Sequence, residues 1–288
     1  MRVAISAEST IDLPKDLLAE WDIHTVPFTI MMGNDTYLDG EIEPTKLFEY
    51  ADKSGKLAKT SAVNVFQFKE HFASLLKEYD AIVHVSLSSK ISSAYQNAVT
   101  AAKGKDNVFV IDSLSLSTGI ALLAIYGRKL ASKGYEAKEI YEKLLARVPA
   151  DQASFSLESV NYLYKGGRCS ALAMLGANIL RIKPEIYVKD GGMIAGKKYK
   201  GPMKKVVMSY VNDTLEAFAN PDLEQVFITY STAPEEVIEQ TKETLKKAGF
   251  RNIFVTHAGG TVSCHCGPHC LGILYMNDGE HVVEPYKG

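Results

Sequence analysis

The sequence predicts an α/β fold: a doubly wound parallel sheet in the first half of the chain, followed by a second α/β unit with a mixed sheet. Three observations carry this prediction. Short apolar runs alternate with helix-spaced segments through the first half, the mark of strand-helix-strand units. The pattern changes around Val148-Pro149-Ala150-Asp151. Beyond it, Lys189-Asp190-Gly191-Gly192 is a hairpin-type turn between apolar runs, which implies antiparallel pairing. A chain of 288 residues favours two domains, and we set the boundary so that they span residues 1–150 and 151–288.

Val3-Ala4-Ile5-Ser6 reads as a strand. It ends in Ser9-Thr10-Ile11-Asp12-Leu13-Pro14, whose hydroxyls, carboxylate and proline suit a loop leading into a helix. Val65, Phe68, Phe72, Leu75, Leu76 and Tyr79 recur at helical spacing, and Ala81-Ile82-Val83-His84-Val85 is a compact strand. Ser92 or Ser93 is a natural cap for the helix-favouring segment from Ala94 to Ala102. Asn107 to Ile111 is the next strand, and helices follow from Gly119 and over Ala137 to Arg147. This is a Rossmann-like α/β/α arrangement. In the second half, strands are predicted over 153–157, 185–188, 225–230, 252–256 and 271–275.

Composition narrows the function. Hydrophobic residues make up 46% and charged residues 23% of the chain, ordinary for a globular protein with a sizeable core. Lys and Arg number 32 against 34 Asp and Glu, a net charge of -2, so no global field draws nucleic acid or an anionic membrane. The opening residues lack a basic start and a long apolar stretch, and no run of membrane-spanning length occurs, so a cytoplasmic location is expected. Cys264, Cys266 and Cys270 crowd into one segment and Cys169 stands alone. That spread makes no disulfide framework and fits a reducing compartment.

Several motifs have chemical potential. Thr60-Ser61 precedes the Val65 helix and Ser92-Ser93 precedes the Ala94 helix. Hydroxyls and helix N-termini on one edge of a parallel sheet suit a carboxylate, and plain capping is the alternative. His265 lies in Cys264-His265-Cys266-Gly267-Pro268-His269-Cys270, where Gly-Pro predicts a tight loop that presents the imidazole. The same segment has soft-metal ligands, but no second ligand set follows the spacing of a structural zinc site. Gly191 to Lys198 resembles a phosphate loop, with Lys198 in place of the magnesium-binding hydroxyl. No Gly-x-Ser-x-Gly elbow marks a serine hydrolase. Gly166-Gly167-Arg168 offers a guanidinium to an anion, or to a surface ion pair.

Taken in order, these segments resemble the DegV family of bacterial fatty-acid-binding proteins over nearly the whole chain. The matching segments are Glu8-Ser9-Thr10-Ile11-Asp12-Leu13, Val26-Pro27, Tyr37-Leu38-Asp39-Gly40, Lys59-Thr60-Ser61, Leu87 to Gln96, Val110-Ile111-Asp112-Ser113, Tyr162 to Arg168 and Ile182-Lys183-Pro184. The resemblance implies a DegV-like fold in which a long-chain fatty acid lies between the two domains. It implies that Thr60, Ser92 and His265 bind the carboxylate, with Ser61 and Ser93 beside them and Arg168 at the mouth, in docking or phosphoryl transfer. It also implies a non-catalytic carrier with no cofactor and no resident metal, similar to the binding subunit of bacterial fatty acid kinase. A separate ATP-binding kinase subunit is then the partner, with transient membrane contact for lipid exchange. The sequence departs from the family where Ser93-Ala94 replaces Gly-Thr, His269 replaces a glycine and Lys200-Gly201-Pro202 replaces a basic segment. Two other functions compete: hydrolysis of an acyl or phosphate ester by Ser92 and His265, and zinc binding by the segment from Cys264 to Cys270.

Overall fold

A computed structural model describes residues 1–168 and 182–286. The chain opens with the parallel pair β1 (Val3–Glu8) and β2 (Ile23–Val26) and then forms a small antiparallel sheet from β3 (Thr29–Met32), β4 (Asp35–Leu38) and β5 (Lys59–Ser61). It returns with β6 (Ala81–Ser86) and β7 (Val108–Asp112) to complete a four-stranded sheet in the order β2-β1-β6-β7, parallel throughout. Every residue of β1 and β6 is buried, as expected of central parallel strands covered on both faces.

The second half builds a six-stranded sheet from β8 (Asp151–Ser156), β9 (Lys183–Lys189), β10 (Gly192–Tyr199), β11 (Gln225–Tyr230), β12 (Asn252–His257) and β13 (Leu271–Met276), in the order β10-β9-β8-β13-β11-β12. Only β11 and β12 run parallel, so the sheet is mixed. All five strands expected in this half are present. The Lys189-to-Gly192 turn joins β9 to β10, which also removes the strand-to-helix geometry that a phosphate loop needs.

The helix Thr118–Ser132 lies between the two sheets. Ten of its fifteen residues are buried, so it is a core helix rather than an amphipathic surface one. The largest apolar cluster accordingly unites Ile5, Ile82 and Ile111 from the first sheet with Phe227, Leu274 and Met276 from the second. On the second sheet, Val207, Tyr210 and Val211 of the helix Met203–Ala217 pack with Val226 and Ile228. No helix among the described residues is long and apolar enough to cross a membrane.

Two local expectations are corrected. Thr60 and Ser61 lie on β5, paired with Ile30 and Thr29, rather than acting as caps. The helix Val65–Leu75 is capped instead by Asn64, whose side chain accepts the Gln67 N–H while Gln67 accepts the Asn64 N–H. That reciprocal pair satisfies two orphan donors at once. His265 sits in the last turn of a short helix, Gly260–Cys266, not in a loop. The Gly267-Pro268 signal marks where that helix ends.

Candidate functional site

A slot with about 710 Å³ of free space, its opening included, runs between the two halves. Leu87, Ile91 and Leu116 line it from the first half, and Phe155, Met193 and Leu274 from the second. Its wall is apolar with a few hydroxyls, the composition of a small-molecule site. Two of those hydroxyls, on Thr10 and Thr261, are buried with no hydrogen-bond partner among the described residues.

His265 reaches one end of the slot because its helix is seated closely. The Asp12 carboxylate accepts the Gly259 N–H at 2.8 Å and the Ser117 hydroxyl at 2.6 Å, tying three distant segments together. A Cβ on Gly259 would stand 2.9 Å from Asp12 Oδ1, and one on Gly260 2.5 Å from Ile30 Cδ1. A side chain at either place would have to displace Asp12 or Ile30, which pack directly against the start of the helix. Burial, opposed by the two hydrogen bonds, raises Asp12 to about 8. The sequence shows Asp12 within a motif but carries no sign of this role.

At the end of the slot, His265 Nε2 and Thr60 Oγ1 share a hydrogen bond of 2.8 Å. Burial, then the neighbouring Arg168 charge, hold His265 down at about 4, so its imidazole is neutral at pH 7. Nδ1 is buried without a partner among the described residues. An orphan acceptor costs less than an orphan N–H, which favours the tautomer with the proton on Nε2. Gly166 makes this fit possible, since a Cβ there would lie 2.5 Å from His265 Nδ1.

Arg168 stands beside this pair, its Nη1 donating to the Gly166 carbonyl at 2.9 Å. It lines both the slot and an open vestibule that also contains Thr60, His265, Lys56, Lys59 and Lys165. No carboxylate is among the described residues that line this vestibule. Ser92 follows Ile91, which lines the slot, and its oxygen accepts the Ala94 N–H at 3.2 Å, leaving its own O–H as a donor. Ser93 occupies the cap position without a side-chain cap bond and is exposed, as is Ser61. The structure thus brings Thr60, His265 and Arg168 together, whereas Ser92 is not among the described residues that line the slot or the vestibule. No hydrogen bond joins Ser92 to His265 among the described residues, so the nucleophile-base pair of a hydrolase is not assembled.

The cysteine segment divides. Cys264 packs with Ile30 and Leu47, and burial pushes its thiol up to about 12. Cys266 and Cys270 line the slot. Among the described residues no group of three or more His, Cys, Asp and Glu is arranged to hold a metal; Cys169 lies outside those residues. His269 takes a positive φ of 56°, a conformation that favours glycine. Thr232 holds it there by accepting its N–H at 2.9 Å, and the ring is exposed and directed toward Glu158. The loop has therefore absorbed the substitution without turning His269 into the slot.

Residues 2–278 match a family model described as "Uncharacterised protein, DegV family". A protein of Thermotoga maritima named fatty acid-binding protein is 27% identical over 94% of this chain and 96% of its own. A solved DegV lipid-binding protein from the same organism is 26% identical, with a TM-score of 0.83 over 98% of this chain and all of that one. A DegV family protein from Thermus thermophilus, 22% identical, superposes with a TM-score of 0.89 over 96% of this chain and 100% of that chain.

Proposed function

The chain belongs to the DegV family, and on that premise we propose that it is a carrier that holds one long-chain fatty acid and presents its carboxylate to a separate ATP-dependent kinase subunit. The observation that carries this reading is the apolar slot ending at a neutral hydroxyl-imidazole pair, Thr60 and His265. In this reading the carboxylate inserts between those two groups and takes a third hydrogen bond from Ser92. Three donors offset the cost of burying the charge. The acyl tail adds about 0.8 kcal/mol for each buried methylene. Residues 1–150 and 151–288 act as two domains closing on the lipid, with Ser61 and Ser93 at the rim.

The vestibule supports presentation as well as binding. Lys56, Lys59, Lys165 and Arg168 surround the proposed carboxylate with positive charge, which suits an incoming phosphoryl group and an acidic partner face. The carrier then needs no cofactor of its own, works in the cytoplasm and touches the membrane only for lipid exchange. Titration with oleate, followed by reconstitution with an ATP-binding kinase subunit, tests both parts. Thr60→Ala should weaken oleate binding, and Arg168→Ala should slow phosphorylation by a larger factor than it weakens oleate binding. Unchanged oleate affinity in Thr60→Ala would contradict the site.

A further inference from the structure

The carrier reading leaves Cys266 and Cys270 unused, although both border the slot. Cys266 ends its helix and Cys270 stands just before β13 (Leu271–Met276). Ser231 fastens the turn between them from both sides. Its hydroxyl donates to the Gly267 carbonyl at 2.6 Å, and its oxygen accepts the Cys270 N–H at 3.2 Å. The two bonds pin both ends of the turn, and both cysteines border the same slot. Both are free thiols, only 5% and 6% exposed. Contact with the Cys266 thiol, then burial, raises Cys270 well above the ordinary thiol range.

We propose that Cys266 and Cys270 form an oxidisable dithiol in the wall of the lipid slot, and that its oxidant is a hydroperoxide carried on an acyl chain seated there. This inference rests on the carrier reading. The apolar wall shields the thiols from oxidants dissolved in water, whereas a peroxide attached to a bound tail is delivered to them. One sulfur attacks the outer peroxide oxygen: an S–O bond forms, the O–O bond breaks, and the lipid leaves as an alcohol with that thiol's proton. The second sulfur displaces hydroxide from the resulting sulfenic acid, forming the S–S bond and releasing water with the second proton. The two thiols together lose two electrons, and the peroxide gains them. Protonated thiols are slow nucleophiles, and holding the peroxide against them offsets this through effective concentration.

The test gives the reduced, delipidated full chain one equivalent of linoleic acid hydroperoxide, and in parallel linoleic acid plus an equal amount of hydrogen peroxide. Lipid retention, peptide mass and lipid products are read together. The expected result is a peptide cross-linked between Cys266 and Cys270, hydroxy acid formed one for one, and a rate at least about tenfold above that with hydrogen peroxide. Cys264→Ser should react like the parent, and Cys266→Ser and Cys270→Ser should form no cross-link. Hydroperoxide retained unchanged on a chain with free thiols would overturn the dithiol and leave the carrier standing. Failure of either lipid to bind would overturn both readings, and equal rates with the two oxidants would overturn delivery through the slot.

Discussion

Two buried polar regions of this molecule are treated in opposite ways. Behind β1 and β6, Ser6, Glu8 and His84 are fully buried and joined into one network. Ser6 Oγ lies 2.7 Å from His71 Nε2 and 2.9 Å from His84 Nδ1. Glu8 receives the Ser86 hydroxyl at 2.6 Å and the Leu87 N–H at 2.9 Å, with His84 Nε2 at 3.3 Å. In the slot, the hydroxyls of Thr10 and Thr261 are also buried, yet have no partner among the described residues. Buried polar atoms are normally paired. A closed network is thus a structural element, whereas polar atoms left open around an apolar slot suit a ligand.

The first way to break this comparison is Glu8→Leu. Removing one member strands His84 and Ser86 in the core, and should destabilise the fold by about 3 to 5 kcal/mol in denaturant unfolding. A change under about 1 kcal/mol would mean the network is not held as described. His265 offers the next largest effect, through pH. Its folded-state value of about 4 lies below that of an unfolded histidine, so below pH 6.5 the unfolded chain gains protons that the folded chain refuses. As pH falls from 6.5 towards 4, the parent should lose stability relative to His265→Gln, by at most about 1.4 kcal/mol per pH unit. Parallel unfolding curves across that range would refute a buried neutral imidazole.

Gly166→Ala should weaken fatty acid binding roughly tenfold, about 1.4 kcal/mol, because its Cβ would meet His265 Nδ1 at 2.5 Å. Calorimetric titration checks this, and full affinity would show that the imidazole moves freely. Asn64→Ala, remote from the slot, should cost about 1 kcal/mol of stability through the lost cap, with lipid affinity unchanged. A loss of binding in that variant would blur the line between the two regions.

The same contrast explains what was legible in the sequence. β1 and β6 each contain a short apolar run, Val3-Ala4-Ile5 and Ala81-Ile82-Val83, so the parallel sheet could be read directly, as could the turn between β9 and β10. The small sheet could not, because β3, β4 and β5 are only three or four residues long, too short for alternation to emerge. The His265 helix was hidden by Gly259-Gly260 at its start and Gly267-Pro268 at its end, residues that ordinarily break helices. Asn64 and Gln67 do form a recognisable capping pattern, but Thr60-Ser61 offers competing cap hydroxyls just upstream. The identities of Thr60 and His265 were legible from family-like motifs. Their meeting across 205 residues, and the Asp12 clasp on Gly259 across 247, belong to tertiary structure alone.

The most direct measurement is mass spectrometry of small molecules extracted from the natively purified chain, comparing the parent with Thr60→Ala/Ser92→Ala. Close to one fatty acid per chain is expected in the parent and a clear loss in the double variant, with both proteins folded. No lipid in the parent, or equal lipid in both, would contradict the claim that the slot and its open polar end form a fatty acid site.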